Sequence, residues 1–238
     1  MNRDSNVYTF TFATFARSGS KGVTNKNIRL LDGIHLIGHS ILTALKINGV
    51  REVIVSTDSE KYAEIARSYG AKTPFLRPKE ISNNSSTDFE FFKHFSDNFD
   101  MLDDELILHL RPTTPIRKIE VINSAIEKIK KEKNSTSLRS GHLAPETPFK
   151  WFRKDKNDYF KPLIKSLSSS DINNPRQSFE EVYVSNGYID IIKKSHLQKG
   201  IDLHGDKMIV FETPISYQVD TIEDFEFLKY ILKKNEKK

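Results

Sequence analysis

Three short stretches of this sequence combine residue types that could do chemistry. The first is Ala16-Arg17-Ser18-Gly19-Ser20-Lys21-Gly22-Val23-Thr24-Asn25-Lys26-Asn27. Its two glycines let the backbone fold tightly and present amide N–H groups, while Arg17, Lys21 and Lys26 supply positive charge, a combination suited to a polyphosphate. The spacing is neither that of a Walker A loop nor that of the dinucleotide G-x-G-x-x-G. The same composition would equally serve a long surface turn with solvated lysines. The second stretch is Leu110-Arg111-Pro112-Thr113-Thr114-Pro115-Ile116-Arg117. Two prolines stiffen it, and its hydroxyls and guanidiniums either face a ligand or make a rigid strand-to-helix connection. The third is Gln218-Val219-Asp220-Thr221, where Asp220 either ligates Mg²⁺ or simply precedes a helix cap at Thr221.

Other chemistries are absent from the sequence. With no cysteine there are no disulfides, thiolate metal sites, iron–sulfur clusters or cysteine nucleophiles. The seven histidines show no H-E-x-x-H or similar metal spacing and read as surface or core residues, and there is no G-x-S-x-G elbow.

The three stretches need a scaffold to bring them together, and hydrophobic periodicity supplies one. Tyr8–Phe15 reads as a central strand, Leu36–Ile47 as a helix and Glu52–Ser56 as a second strand. Ser59–Tyr69 carries Tyr62, Ile65, Ala66 and Tyr69 at helical spacing, with Asp58 or Ser59 to cap it and Gly70 to stop it. Thr87–Phe99 is a third helix, Glu105–Leu110 a third strand and Arg117–Lys133 a fourth helix. This alternation argues a doubly wound α/β domain with a mostly parallel sheet. Regularity fails between about 140 and 180, where four prolines accompany Trp151, Phe152, Tyr159 and Phe160. So many large apolar groups need cover, and an arm packed on a second subunit is expected. Strands resume at Val182–Ile192 and Lys207–Glu212, and a last helix starts at Thr221-x-x-Asp224. In such a sheet, ligands bind beyond the carboxyl ends of the strands, where all three stretches fall.

The 238 residues are ample for one core, and with 37% hydrophobic residues the chain is not a disordered one. The 37 Lys+Arg against 32 Asp+Glu leave a net charge of +5, much of it at helix ends and in the C-terminal tail. Neither a basic face interleaved with exposed aromatics nor a nucleic-acid reading module is present, so no nucleic-acid partner is expected. No apolar run reaches the roughly 18 residues of a membrane span, and no targeting segment is visible, so the expected compartment is the cytoplasm.

Taken in order, these stretches resemble a known family. ARSGSKGVTNKNIRLLDGIHLIGHSI is similar to the opening A-R-x-x-S-K-G-x-x-x-K-N loop of the acylneuraminate cytidylyltransferases, which make CMP-activated sialic acids. VIVSTDSEKYAEIARSYGAKTPFLRP resembles that family's next block, LRPTTPIR its Q-P-T-S-P-L-R turn, NPRQSFEEVYVSNGYIDI its P-R-Q…N-G-x-I-Y-I stretch and QVDTIEDF its D-I-D-T-x-x-D-F close. The resemblance spans almost the whole chain. It implies one Rossmann-like nucleotidyltransferase domain over 1–238, with an inserted dimerisation and substrate arm at about 140–180. It also implies a homodimer and a Mg²⁺-dependent transfer of CMP from CTP to the anomeric hydroxyl of a nine-carbon 2-keto sugar acid, a nonulosonic acid of the neuraminate, legionaminate or pseudaminate type, with pyrophosphate leaving. By the same resemblance Arg17 and Lys26 contact the triphosphate, and the loop from Ala16 and Ser18 through Gly19, Ser20 and Lys21 to Gly22 cradles phosphate. Asn27 and Arg77 address cytosine, and Asp220 with Gln218 stands at the metal. Arg111, Thr113, Thr114 and Asn186 stand toward the sugar acid, as do Lys150 and Arg176 across the dimer interface.

Four positions depart from the pattern: Gln218 stands for an Asp, Arg111 for a Gln, Thr24 for a Pro and Asp190 for a Tyr. A neutral amide at 218 binds Mg²⁺ more weakly than a carboxylate. An eight-carbon keto acid as acceptor, or a nucleotide-binding homologue with impaired catalysis, are the alternatives.

Overall fold

A computed structural model describes residues 10–19 and 22–236. The roles expected of Ser20 and Lys21, and the start of the first strand at Tyr8, lie outside the described residues.

The expected alternation forms, with element ends moved by one to three residues. Strand β1 (Phe10–Phe15) leads through the glycine loop to a small hairpin of β2 (Leu30–Leu31) and β3 (Ile34–His35), which runs into α1 (Leu36–Ala44). Then follow β4 (Val50–Ser56), α2 (Glu60–Ser68), α3 (Asp88–Asn98), β5 (Leu106–His109), α4 (Ile119–Lys131) and β6 (Ser137–Leu143). The remainder is the two-stranded β7 (Phe152–Lys154) and β8 (Phe160–Pro162), then β9 (Tyr183–Lys193), α5 (Lys194–Leu197), β10 (Met208–Glu212) and α6 (Ile222–Glu236). The stretch expected to be irregular from about 140 is in the sheet as far as Leu143, because β6 pairs with both β9 and β10.

The central sheet has six strands in the order β10-β6-β9-β5-β1-β4. All pairings are parallel except those of β9, which runs antiparallel between β5 and β6. Alternating residues feed two cores. Phe12, Leu106, Leu108, Leu138, Ile189 and Ile191 face α1, α2 and α4, while Ala13, Ile54, Ile107 and Ile192 face α3 and α5. This two-sided burial explains why the central strands read as nearly continuous apolar runs. A third cluster seats Val219, Phe225 and Leu228 of the C-terminal segment on Val23, Leu31 and Leu36, so α6 holds the third chemical stretch against the first.

Helix α3 begins with a full capping box: Glu90 N–H donates to Thr87 Oγ1 while Thr87 N–H donates to Glu90. Because α3 carries Asp88 at the cleft described below, this cap also places a site residue. Thr87→Ala should cost about 1 kcal/mol, read as a lower urea midpoint with unchanged slope.

Candidate active site

A cleft of about 520 Å³ opens beyond the carboxyl ends of β1 and β5. Arg17, Gly22, Lys26 and Asn27 of the first stretch, Arg111 and Thr113 of the second and Asp220 of the third all line it.

Backbone and side-chain bonds suture these stretches together. Val219 N–H donates to the Thr113 carbonyl at 2.8 Å, and Lys26 Nζ donates to the Val219 carbonyl at 2.8 Å and to Asp220 Oδ1 at 2.9 Å. Gly22 sits so close that a Cβ there would meet the Asp220 carbonyl at 2.7 Å, so only glycine fits. Helix α6 is capped by Thr221 and Asp224, with Asp224 N–H on Thr221 Oγ1 and the amides of Asp220 and Thr221 on the Asp224 carboxylate. The Asp220 carboxylate therefore has no capping duty. It projects, 72% exposed, at the cleft beside Lys26.

Within the glycine loop, duties divide. The Asp58 carboxylate accepts from both Ser18 N–H and Ser18 Oγ, at 2.8 and 2.7 Å, so the Ser18 amide is committed to the fold rather than to phosphate. Asn27 Nδ2 donates to the Arg17 carbonyl at 3.2 Å, bracing the residue whose guanidinium makes no hydrogen bond or ion pair among the described residues. Ala16 is fully buried and donates its N–H to the Ser56 carbonyl, which makes it a support of the loop.

Arg77 forms part of the wall. Its Nε donates to Ser82 Oγ, its guanidinium lies 4.3 Å from the Phe91 ring centre, and its Nη2 is buried without a partner. Burial pulls its pKa down to about 10, with Arg17 adding to the effect and Asp58 opposing it. An unpaired buried donor in a cleft wall is costly unless a ligand meets it.

The two guanidiniums of the proline turn go opposite ways. Arg117 turns inward, half-buried, and donates to the carbonyls of Arg111, Gly187 and Tyr188, riveting the turn to β9. Burial lowers its pKa to about 9. Arg111 instead reaches the cleft, where it pairs with Asp88 of α3 and, at 3.3 Å, with Asp190 of β9. Burial alone would lower the Arg111 pKa, but Asp190 and Asp88 outweigh it and raise it. In turn burial would raise the Asp88 carboxyl, and Arg111 holds it below the usual range. Gly187 makes room for this geometry, since a Cβ there would meet Thr114 Oγ1 at 2.6 Å and Arg111 Cδ at 2.8 Å. Two positions that depart from the family pattern, Arg111 and Asp190, are thus one ion pair.

Residues 14–235 match the family model described as Cytidylyltransferase. The chain belongs to the cytidylyltransferase family. Over 114 residues, 47% of this chain and 49% of that protein, it is 40% identical to the CMP-N,N′-diacetyllegionaminic acid synthase of Legionella pneumophila. It is 33% identical over 229 residues to the N-acylneuraminate cytidylyltransferase of Escherichia coli, 94% of this chain and 52% of that protein. The chain spans about half the length of these curated relatives. Its fold superposes on a CMP:2-keto-3-deoxy-manno-octonic acid synthetase solved with CTP, at TM-score 0.70 and 16% identity over 95% of this chain and 99% of that one. This likeness supports the nucleotidyltransferase fold.

Several residues expected at the site of this cytidylyltransferase stand elsewhere, and the structure corrects two of them. Thr114 is fully buried against Gly187, and Asn186 is spent inside the fold on Ser140, Thr213, His142 and the Tyr188 amide. Asn186 has no polar atom left for a sugar, and Thr114 Oγ1, though unpartnered, is sealed inside the fold. Gln218 does not line the cleft, although Asp220, two residues on, does. Lys150 and Arg176 lie in the arm, where Lys150 Nζ donates to the Asn174 carbonyl and Arg176 to the carbonyls of Ala144 and Pro145. Conversely Asp88, Phe91 and His109 line the cleft without having been singled out from sequence. For Asp88 a signal existed, since it opens a helix behind a capping threonine and a like position in an α/β fold meets the ligand edge.

Among the described residues no group of three or more His, Cys, Asp or Glu is placed to hold a metal. Mg²⁺ needs no such cage, because it takes one or two carboxylates together with substrate phosphates and water. The exposed Asp220 carboxylate beside Lys26 in the cleft fits that donor set, and Gln218 does not join it. Among the described residues, no helix is long and apolar enough to cross a membrane.

Burial lowers the pKa of four histidines, His39, His94, His109 and His204, and the last two carry the largest pH signature. Burial, with Arg111 adding to it, lowers the His109 pKa to about 4, and burial with Arg139 lowers that of His204 to about 4. Their unfolded forms titrate near 6.5, so between these values the unfolded chain binds more protons and folding weakens as pH falls. Above about 6.5 both forms are neutral and the contribution is constant. Each such histidine steepens the fall by up to about 1.4 kcal/mol per pH unit. Urea midpoints should therefore drop between pH 7 and pH 5, and by less in His109→Gln. A midpoint that holds or rises over that range would contradict this.

Proposed function

We propose that this chain transfers CMP from CTP to the anomeric hydroxyl of a nine-carbon 2-keto sugar acid and releases pyrophosphate, with Mg²⁺ as cofactor. The observation that carries this reading is the convergence of Arg17, Lys26, Asp220 and Arg77, from separate stretches of sequence, on the lining of a single cleft. The names of two relatives, for N,N′-diacetyllegionaminate and N-acylneuraminate activation, support the acceptor class.

In this reading the sugar hydroxyl oxygen bonds to the α-phosphorus and gives up its proton to water, as the bond to the α–β bridging oxygen breaks and its electron pair leaves with pyrophosphate. Arg17 and Lys26 neutralise charge that grows on the phosphate oxygens, where a fixed cation acts more strongly than water. Mg²⁺, held by Asp220, would supply further charge neutralisation and orient the phosphates. Asn27 Oδ1, left over when Nδ2 binds the Arg17 carbonyl, accepts from the exocyclic amine of cytosine, and the Arg77 guanidinium in the cleft wall addresses an acceptor on its edge. Arg111 and Thr113 face the sugar acid from the proline turn.

A homodimer is part of the proposal. Trp151, Phe152, Tyr159 and Phe160 of the arm are exposed, and a second copy would cover them and bring Lys150 and Arg176 toward a substrate. Light scattering should give twice the chain mass, and Phe152→Asp should return it to one. The activity test is pyrophosphate release from CTP and Mg²⁺ against N-acetylneuraminate, N,N′-diacetyllegionaminate, pseudaminate and an eight-carbon keto acid. Release with a nine-carbon acid supports the reading, and release with the eight-carbon acid alone replaces it. Silence across the panel with CTP still bound would point to a nucleotide-binding protein without transfer activity.

A further inference from the structure

Antiparallel β9 builds a polar row across the sheet that no segment of sequence displays. Arg139 of β6 lies opposite Asp190 of β9, and Asp190 lies opposite His109 of β5. Residues in such cross-strand register share one face, here the face packed on α3, from which Asp88 reaches Arg111. The row is ionically tied: Asp190 is 3.3 Å from Arg111 and 3.7 Å from Arg139, with His204 3.4 Å from Arg139 at its outer end.

His109 is the member that touches the cleft. Its Nδ1 stands 2.8 Å from the Ala13 carbonyl, which can only accept, so Nδ1 carries the proton. The ring is packed on Phe15 and Phe92, and burial keeps it neutral at physiological pH. A neutral imidazole protonated at Nδ1 has a lone pair at Nε2. Among the described residues Nε2 has no hydrogen-bond partner, and it is not one of the sealed, unsatisfied atoms of the interior. A side chain so fixed is a poor base and a good acceptor. Beside it stands Arg111, which only donates.

We propose that His109 Nε2 is the hydrogen-bond acceptor that reads an N–H or O–H donor on the sugar acid, and that Asp190 is the positioning residue that holds Arg111 beside it. This rests on the transfer reaction proposed above and names a determinant of its acceptor specificity. A site built to accept a hydrogen bond rejects an analogue lacking the donor far more strongly than an apolar pocket rejects a missing methylene.

The test compares wild type, His109→Leu and His109→Gln with whichever nine-carbon acid of the panel wild type uses best, and with its analogues in which single hydroxyl or amide N–H donors are replaced. His109→Leu should lower kcat/KM for the parent acid about 10- to 100-fold while the KM for CTP stays unchanged. For one analogue, wild type and His109→Leu should converge, and His109→Gln, which keeps an acceptor, should recover part of the loss. Equal losses on every acid together with a raised KM for CTP would show a merely structural role and overturn the proposal, as would an unchanged preference. Imidazole ¹⁵N resonances give a readout independent of turnover. Adding N,N′-diacetyllegionaminate with CMP should move the His109 Nε2 signal, and its failure to move would overturn the proposal. A wild type silent in pyrophosphate release would count against the transfer reaction, whereas an active wild type with an unmoved Nε2 signal counts only against the role of His109.

Discussion

Arg17→Ala is expected to lower turnover about 100- to 1,000-fold with an unfolding midpoint close to wild type. The fold gives Arg17 little to do. Its backbone carbonyl accepts from Asn27, which an alanine would preserve, and its guanidinium makes no hydrogen bond or ion pair among the described residues. In the proposed reaction its whole charge is then free for the triphosphate, where negative charge shifts toward the leaving group as the bond breaks. Lys26 differs, since its ammonium is tethered to the Val219 carbonyl and Asp220. Lys26→Ala should therefore lower both turnover and stability, and the contrast between the two variants checks the division of roles. Pyrophosphate release under saturating CTP and acceptor, paired with thermal melts, is the measurement. Near-normal turnover in Arg17→Ala would remove Arg17 from the chemistry and weaken the proposed reaction with it.

Asp190→Ala should destabilise the protein by about 3–5 kcal/mol. The carboxylate is 2% exposed and stands between two guanidiniums, Arg111 and Arg139, which are themselves mostly withdrawn from water. Deleting it leaves two cations facing each other without their shared counter-charge, the costly case for a buried pair. For a chain of this length the loss corresponds to a fall in Tm of roughly 6–20 °C. Asp88 still neutralises Arg111 from α3, which favours the lower part of that range. Adding Arg111→Gln to Asp190→Asn removes charge from both sides and should restore part of the stability, a coupling measurable as a double-mutant cycle. A loss below about 1 kcal/mol in Asp190→Ala would mean that the row is solvated well enough to tolerate a gap. That outcome would also undercut the positioning of Arg111 beside His109.

The sequence was most legible where a short window holds the whole cause. The helical spacing of Tyr62, Ile65 and Ala66 and the Thr221–Asp224 cap are local, and each forms where expected; the Thr87–Glu90 box is as local but was not singled out. The hairpin of β2 and β3 was equally local, signalled by Asp32-Gly33 between apolar residues, but was not singled out. Side-chain duties within the loops were less legible. Nothing in the first stretch announces that Ser18 is bound by Asp58, forty residues on, or that Lys26 is tied to Val219. In the proline turn the two arginines are chemically alike, and only the path of β9 sends Arg117 inward and Arg111 outward.

By itself the sequence determined most of the alternation of strands and helices, the order of the three chemical stretches and the family they resemble. The alternation follows from periodicity, capping and turn chemistry acting over a few residues, whereas the family is a resemblance of motifs taken in order. The tertiary structure alone decided that β9 runs antiparallel between β5 and β6, and so that Arg139, Asp190 and His109 share a row. Register between strands distant in sequence is set by which faces must be buried together, and that is a property of the assembled sheet. The same assembly joins the departures at 111 and 190 into one ion pair and turns a histidine that read as core or surface into a fixed acceptor at the cleft.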